Sequence, residues 1–141
     1  MQWVFEQGAI RWSELAELYR IAPLGHKQPD DLRIAFTNSR FKVFVFDGSR
    51  LVGAGRALAD GVDCAYLCDV AIHPQYQGQG LGRALILQLR RLVEGHRKVL
   101  LYAAPGKEGF YQRLGFSRMR TAMAVFANHE AAVCGGVLEA G

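Results

Sequence analysis

Apolar and polar positions along this chain follow two periods, and the changes of period divide it into elements. Residues 2–10 carry Trp3, Val4, Phe5 and Ile10 and read as a first strand. Trp12, Leu15, Tyr19 and Ala22 then recur at helical spacing, with Ser13 and Glu14 suited to a helix start. Pro23 and Gly25 end that helix, because proline cannot continue it and disfavours helical geometry at Ala22. Pro29, Asp30 and Asp31 open a second helix to about Ser39; proline fits a first helical position and carboxylates favour the positive end of the helix dipole.

The period then shortens. Phe41 to Phe46 is a strand by composition, Asp47-Gly48 is a hairpin turn, and Leu51 to Ala59 returns. Asp60-Gly61 turns the chain again into a long strand, Val62 to His73, so the three form an antiparallel meander. Pro74 breaks the strand. A glycine-rich loop leads into a helix from about Gly80 to Gly95, with Leu81, Leu85, Leu89, Leu92 and Val93 on one face. Val99 to Ala103 reads as a short buried strand, Lys107 to Leu114 as a short helix stopped by Gly115, and Phe116 to Ala127 as strand-like. The Ala- and Gly-rich stretch from Asn128 to Gly141 receives no assignment. This order predicts a mixed α/β fold in which the long helix crosses between two parallel strands, with the usual right-handed connection.

Composition narrows the class. A chain of 141 residues, half of them hydrophobic, suits one domain with a real core. Seventeen Lys and Arg against 13 Asp and Glu give a net charge of +4, which fits an anionic small ligand. No nucleic-acid partner is expected, because Arg83, Arg90, Arg91, Arg97 and Lys98 lie on or near one helix and read as its solvated face. The N-terminus lacks the pattern of a secretory leader, and no apolar run approaches the length of a membrane span. Three cysteines, Cys64, Cys68 and Cys134, form no C-x-x-C pair; reduced thiols in a cytoplasmic setting fit best.

The chemistry concentrates in Gln77-Gly78-Gln79-Gly80-Leu81-Gly82-Arg83, a loop between a strand and a helix. Unpaired N–H groups and the helix dipole favour an anion there, glycine lets a ligand approach the backbone, and Arg83 can add a charge-assisted contact. A glycine cluster alone equally describes a turn. The segment is not a P-loop, since no Lys-Ser or Lys-Thr follows, and it is not a dinucleotide fingerprint, since it comes late and after an antiparallel meander.

Two segments carry a resemblance. Asp69-Val70-Ala71-Ile72-His73-Pro74-Gln75-Tyr76-Gln77-Gly78-Gln79-Gly80-Leu81-Gly82-Arg83-Ala84-Leu85 resembles the coenzyme-binding motif of the GNAT acetyltransferases, and Phe110-Tyr111-Gln112-Arg113-Leu114-Gly115-Phe116 resembles their second signature. The similarity covers about residues 2 to 127, which sets a domain over 1–127 and leaves 128–141 as a tail. Leu51 to Ala57 with Asp60, and Asp69-Val70, look like the small bacterial and plastid group related to serotonin or arylalkylamine N-acetyltransferases.

The resemblance implies an acyl-CoA N-acyltransferase fold: a mostly antiparallel central sheet, a splayed parallel strand pair and flanking helices. It implies acetyl-CoA as co-substrate, with its pyrophosphate on residues 77–83, and no metal. It implies a bulged strand whose Val70, Ala71 and Ile72 N–H groups meet the pantetheine arm and the thioester carbonyl. Tyr111 matches the general acid that protonates the departing thiolate, a position that equally suits an aromatic packing the short helix. Asp69 is the candidate base, acting directly, through a water or by orienting an ammonium; a sheet-edge carboxylate and proton loss to solvent remain alternatives. His73 reads as a strand-end residue. One departure stands out: many members carry Asn seven residues before the motif tyrosine, where this chain has Ala104, and Lys107 nearby is a solvated lysine or a phosphate contact. The acceptor is a small-molecule amine or a protein amine, with Trp12, Phe36, Asn38, Phe41 and Tyr66 as candidate lining residues. A homodimer is allowed, and a non-catalytic acetyl-CoA-binding regulatory module is the rival reading.

Overall fold

Alternating apolar residues between positions 41 and 72 become three adjacent strands in the computed structural model, which describes residues 1–141. The chain divides into two units, Met1–Leu101 and Tyr102–Gly141. In the first unit the elements are β1 (Gln2–Val4), α1 (Trp12–Ile21), α2 (Pro29–Thr37), β2 (Phe41–Asp47), β3 (Arg50–Ala59), β4 (Cys64–Ile72), a 3-10 turn (Pro74–Tyr76), α3 (Leu81–Leu92) and β5 (Lys98–Leu100). The strands lie in the order β1-β2-β3-β4-β5. Neighbours are antiparallel except β4 and β5, which pair in parallel from Cys64↔Lys98 to Tyr66↔Leu100 across the α3 crossover.

The two faces of the sheet are covered differently. Leu15, Leu18 and Tyr19 of α1, with Leu32 and Phe36 of α2, pack on Phe44, Leu51, Ala54 and Ala71. Each large apolar side chain buried there contributes roughly 1.5–3 kcal/mol. On the opposite face α3 lies directly over glycines: a Cβ on Gly55 would come within 2.9 Å of Leu85 and 3.0 Å of Leu89. Missing side chains in β3 therefore set how closely the long helix approaches. The buried stripe of that helix is Leu85, Ile86 and Leu89, continued by Val93; Ile86 joins the stripe expected from spacing, and Leu81 and Leu92 sit at its edge.

Four sequence expectations change. The short strand expected buried over 99–103 is Lys98–Leu100 and only partly buried, because it pairs with β4 over three residues at the edge of the sheet. The first strand stops at Val4, because a turn with Ile10 N–H donating to Gln7 O at 3.1 Å takes over. In the second unit, α4 (Glu108–Arg113) ends where Gly115 adopts φ 95°, but residues 116–127 form no strand. They belong to no ladder of the sheet, and Met123 and Val125 stand 96% and 101% exposed. The unassigned tail holds α5 (His129–Cys134), whose start is capped by Asn128 Oδ1 accepting from Ala131 N–H at 3.0 Å.

Candidate active site

The second half of β4 departs from regular pairing. Ala54 faces Ala71, but Arg56 faces Cys68, so β4 carries one extra residue opposite Gly55. Asp69 sits in that bulge with φ 56°, the one non-glycine residue of the chain in left-handed backbone. Cys68 and Asp69 are consecutive yet both lie beside Arg56, as a bulge requires. Beyond it His73 N–H donates to Val52 O at 2.7 Å, toward β3. Alternation then turns the N–H groups of Ile72 and Val70 to the other edge, where pairing with β5 has ended at Tyr66. The Ala71 N–H points back into the β3 ladder by the same alternation.

The glycine loop follows at once. Gly78 and Gly80 have φ 77° and 84°, and a Cβ on either would meet nothing within 4 Å. Gly80 is the N-cap of α3 and its carbonyl accepts from Ala84 N–H, so the amides of Leu81, Gly82 and Arg83 form the open first turn. A twelve-residue helix whose first-turn amides follow the open space at Gly78 and Gly80 suits a pyrophosphate. The Gln77 side chain does not point at a ligand; its Nε2 donates to Ile72 O at 3.0 Å and ties the loop to the strand end. His73 is braced likewise, with Nδ1 against Gln75 N–H at 3.1 Å and Nε2 against Arg50 at 2.8 Å. Burial first, and the Arg50 charge second, lower its pKa and keep the ring neutral.

Asp69 is surrounded by partners that sequence reading missed. Arg56 Nε donates to its Oδ2 at 2.8 Å, Lys27 Nζ lies 3.5 Å from Oδ1, and Tyr19 donates its hydroxyl to the Asp69 carbonyl at 2.6 Å. Burial, then the Asp69 charge, push the Tyr19 phenol well above its ordinary value, so it stays a donor. Burial raises the Cys68 thiol as well, which leaves it a thiol rather than a nucleophile. A separate cavity of about 360 Å³ is lined by Glu14, Glu17, Leu18, Ile21, Arg50, Leu51 and His73. It shares none of the expected acceptor-lining residues. Of those, Phe36 is wholly buried core stacked on Phe44 at 5.3 Å, and Asn38 is exposed.

In the second unit Tyr111 is half-buried between Phe110 and Phe116, at ring distances of 5.0 and 5.9 Å. Burial raises its pKa, so the hydroxyl holds its proton at neutral pH. Ala104 is exposed and its carbonyl accepts from Lys107 N–H at 3.0 Å, opening α4.

A family profile described as "Acetyltransferase (GNAT) family" matches residues 9–116. This chain belongs to the GNAT acetyltransferase family. The domain is 36% identical over 125 residues to a protein of Prochlorococcus marinus named "Uncharacterized N-acetyltransferase ycf52-like", covering 82% of this chain and 69% of that one. It is 36% identical over 113 residues to "Serotonin N-acetyltransferase 2, chloroplastic" of Oryza sativa, covering 73% of this chain but 54% of the rice protein. The GNAT domain thus spans little more than half of that relative. Its fold matches a putative acetyltransferase from Deinococcus radiodurans with TM-score 0.77 at 21% identity, over 92% of this chain and 89% of the other. A probable acetyltransferase from Staphylococcus aureus gives 0.76 at 22% identity, over 91% and 98%. The GNAT domain is an acetyl-transferring enzyme by family, of a family that uses acetyl-CoA. None of its helices is long and apolar enough to cross a membrane.

Proposed function

We propose that this chain moves the acetyl group of acetyl-CoA to a primary amine by direct attack. The observation that carries the reading is the open amide edge of β4 beyond its bulge, followed within a few residues by the open first turn of α3. Residues 77–83 hold the pyrophosphate through backbone N–H groups, with Arg83 as an added charge. The amides of Val70 and Ile72 meet the pantetheine arm and the thioester carbonyl, where negative charge grows during transfer. Ala71 contributes through the strand geometry that aims its neighbours.

Tyr111 is assigned as general acid on its motif, and its raised pKa keeps a proton available for the leaving thiolate. The amine attacks only when neutral, and a free alkylammonium has a pKa of roughly 10. Asp69 is the candidate acceptor of that proton, but its carboxylate is engaged by two cations, which favours proton loss to solvent.

For the acceptor we favour an arylalkylamine, on the 36% identity to the rice protein named for serotonin. We place the chain in a reducing compartment, cytoplasm or plastid, because its three cysteines are free and the rice relative is named chloroplastic. The test is thiol release from acetyl-CoA with a panel of serotonin, tyramine, polyamines, amino sugars and a lysine peptide. Turnover fastest with the aromatic amines is expected; fastest turnover with the peptide replaces the acceptor class. Tight acetyl-CoA binding without turnover on any amine replaces the enzyme by a regulatory module. Tyr111→Phe lowers kcat about a hundredfold with acetyl-CoA affinity nearly kept; an unchanged kcat removes Tyr111 as the acid.

A further inference from the structure

We propose that Tyr19, Arg56 and Asp69 form a clamp that holds the β4 bulge open, acting as positioning residues for acetyl transfer and not as proton carriers. The inference rests on the reading that the β4 amides beyond the bulge receive the thioester.

The bulge needs a device to hold it. Asp69 adopts φ 56°, a backbone region that side-chain-bearing residues disfavour and that persists only where surroundings enforce it. Two elements grip this one residue. From α1, the buried Tyr19 hydroxyl donates to its carbonyl at 2.6 Å; from β3, Arg56 Nε donates to its carboxylate at 2.8 Å. Arg56 is itself fixed, since its Nη1 donates to Ser39 Oγ at 3.1 Å and its guanidinium lies over the Phe36 ring at 5.8 Å. Lys27, near the other carboxylate oxygen at 3.5 Å and over the Tyr19 ring at 5.6 Å, closes the group. Carbonyl and carboxylate of the same residue are therefore held together, by α1 and by β3, on the face of the sheet that α1 and α2 cover, and the peptide that follows is turned so that Val70 N–H leaves the β3 ladder. Gly55 opposite is the complement: a Cβ there would come within 3.3 Å of Val70 and crowd the extra residue.

The roles of clamp and base separate by substitution. Asn accepts from Arg56 and tolerates left-handed backbone, but it takes up no proton. Leu does none of these. In the full chain, Asp69→Leu is expected to lower kcat/KM for acetyl-CoA about tenfold, by forcing a branched side chain into left-handed backbone. Asp69→Asn recovers most of that loss and keeps the shape of the pH–rate profile. Tyr19→Phe lowers kcat/KM for acetyl-CoA by about threefold to tenfold, the range for one lost hydrogen bond.

If Asp69→Asn is as impaired as Asp69→Leu and the profile loses its acidic limb, Asp69 is a base and the clamp is wrong. A second readout needs no activity. Amide hydrogen exchange of Val70 and Ile72 in ligand-free Tyr19→Phe should change relative to the unmodified protein while exchange in α3 stays the same. Unaltered exchange at those two amides overturns the clamp whether or not the chain turns over any amine. Absence of thiol release by the unmodified protein, with exchange altered as expected, overturns only the acetyl-transfer reading.

Discussion

The two halves of β4 are one strand with two fates. From Cys64 to Tyr66 it is paired on both sides, with Ala65 facing Ala59 in β3 and Val99 in β5. From Asp69 to Ile72 it is paired on one side only, out of register and through a left-handed residue. The first half is held between two neighbouring strands. The second leaves main-chain donors on an edge, and such groups call for partners from outside the ladder. The end of β5 pairing at Tyr66 and one extra residue in β4 together turn ladder into open edge. The glycine loop extends that edge, because Gln77 ties the loop to the carbonyl of Ile72 at 3.0 Å.

The strongest way to break this comparison is Gly80→Asp. Gly80 has φ 84° at the open start of α3, so the variant introduces backbone strain and a negative charge where an anion is expected. Acetyl-CoA affinity should fall about a hundredfold or more, from strain and charge repulsion together. Calorimetric titration reads it, with circular dichroism to confirm the fold. Unchanged affinity moves the pyrophosphate away from the end of β4, and the second half loses its claim to be a binding edge.

Gly55→Val sharpens the comparison from the structural side. The added Cβ meets Leu85 at 2.9 Å, Leu89 at 3.0 Å and Val70 at 3.3 Å, so α3 and the bulge must both shift. Overpacking of this kind destabilises by about 1–3 kcal/mol in chemical denaturation. It should also weaken acetyl-CoA binding, because Val70 moves. A stability loss without any change in affinity separates the packing of β3 under α3 from the shape of the bulge.

Much of this was legible in the sequence, and the failures share a cause. Asp47-Gly48 and Asp60-Gly61 announced the meander, and Gly48 and Gly61 indeed take φ 61° and 89°. Leu85 and Leu89 announced the face of α3. These signals are local: each needs only a few neighbouring residues. Residues 116–127 alternate as a strand does, yet a strand is a relation between two segments, and alternation does not provide the second. The α5 start was readable, since Asn128 caps it, but the Ala- and Gly-rich composition masked the cue. At the site, the glycine loop and the bulged strand were legible through motif. Tyr19 read as one more apolar position of a helix, and Arg56 as a polar position in a strand. Their meeting point, Asp69, lies fifty residues from Tyr19, and no spacing rule spans that distance.

The smallest expected effect comes from the turn into the first half of β4. Asp60 Oδ1 accepts from the N–H groups of Val62 at 2.8 Å, Asp63 at 2.7 Å and Cys64 at 3.2 Å. These donors lower its pKa from 3.8 to about 2. A carboxyl depressed in the folded state adds stability above its unfolded pKa and gives it up as pH falls through the folded one. Asp60→Ala should therefore lower the melting temperature slightly at pH 7, and the gap to the unmodified protein should shrink below pH 3.8 and close near pH 2. The side chain is fully exposed, so the gap is small even at neutral pH. A gap that persists to pH 2 would show that shape, not charge, holds the turn. Acetyl-CoA affinity is the other half of the measurement. The turn feeds only the doubly paired half of β4, so affinity should not move; if it does, the closed half transmits strain to the open one and the two cannot be treated as separate.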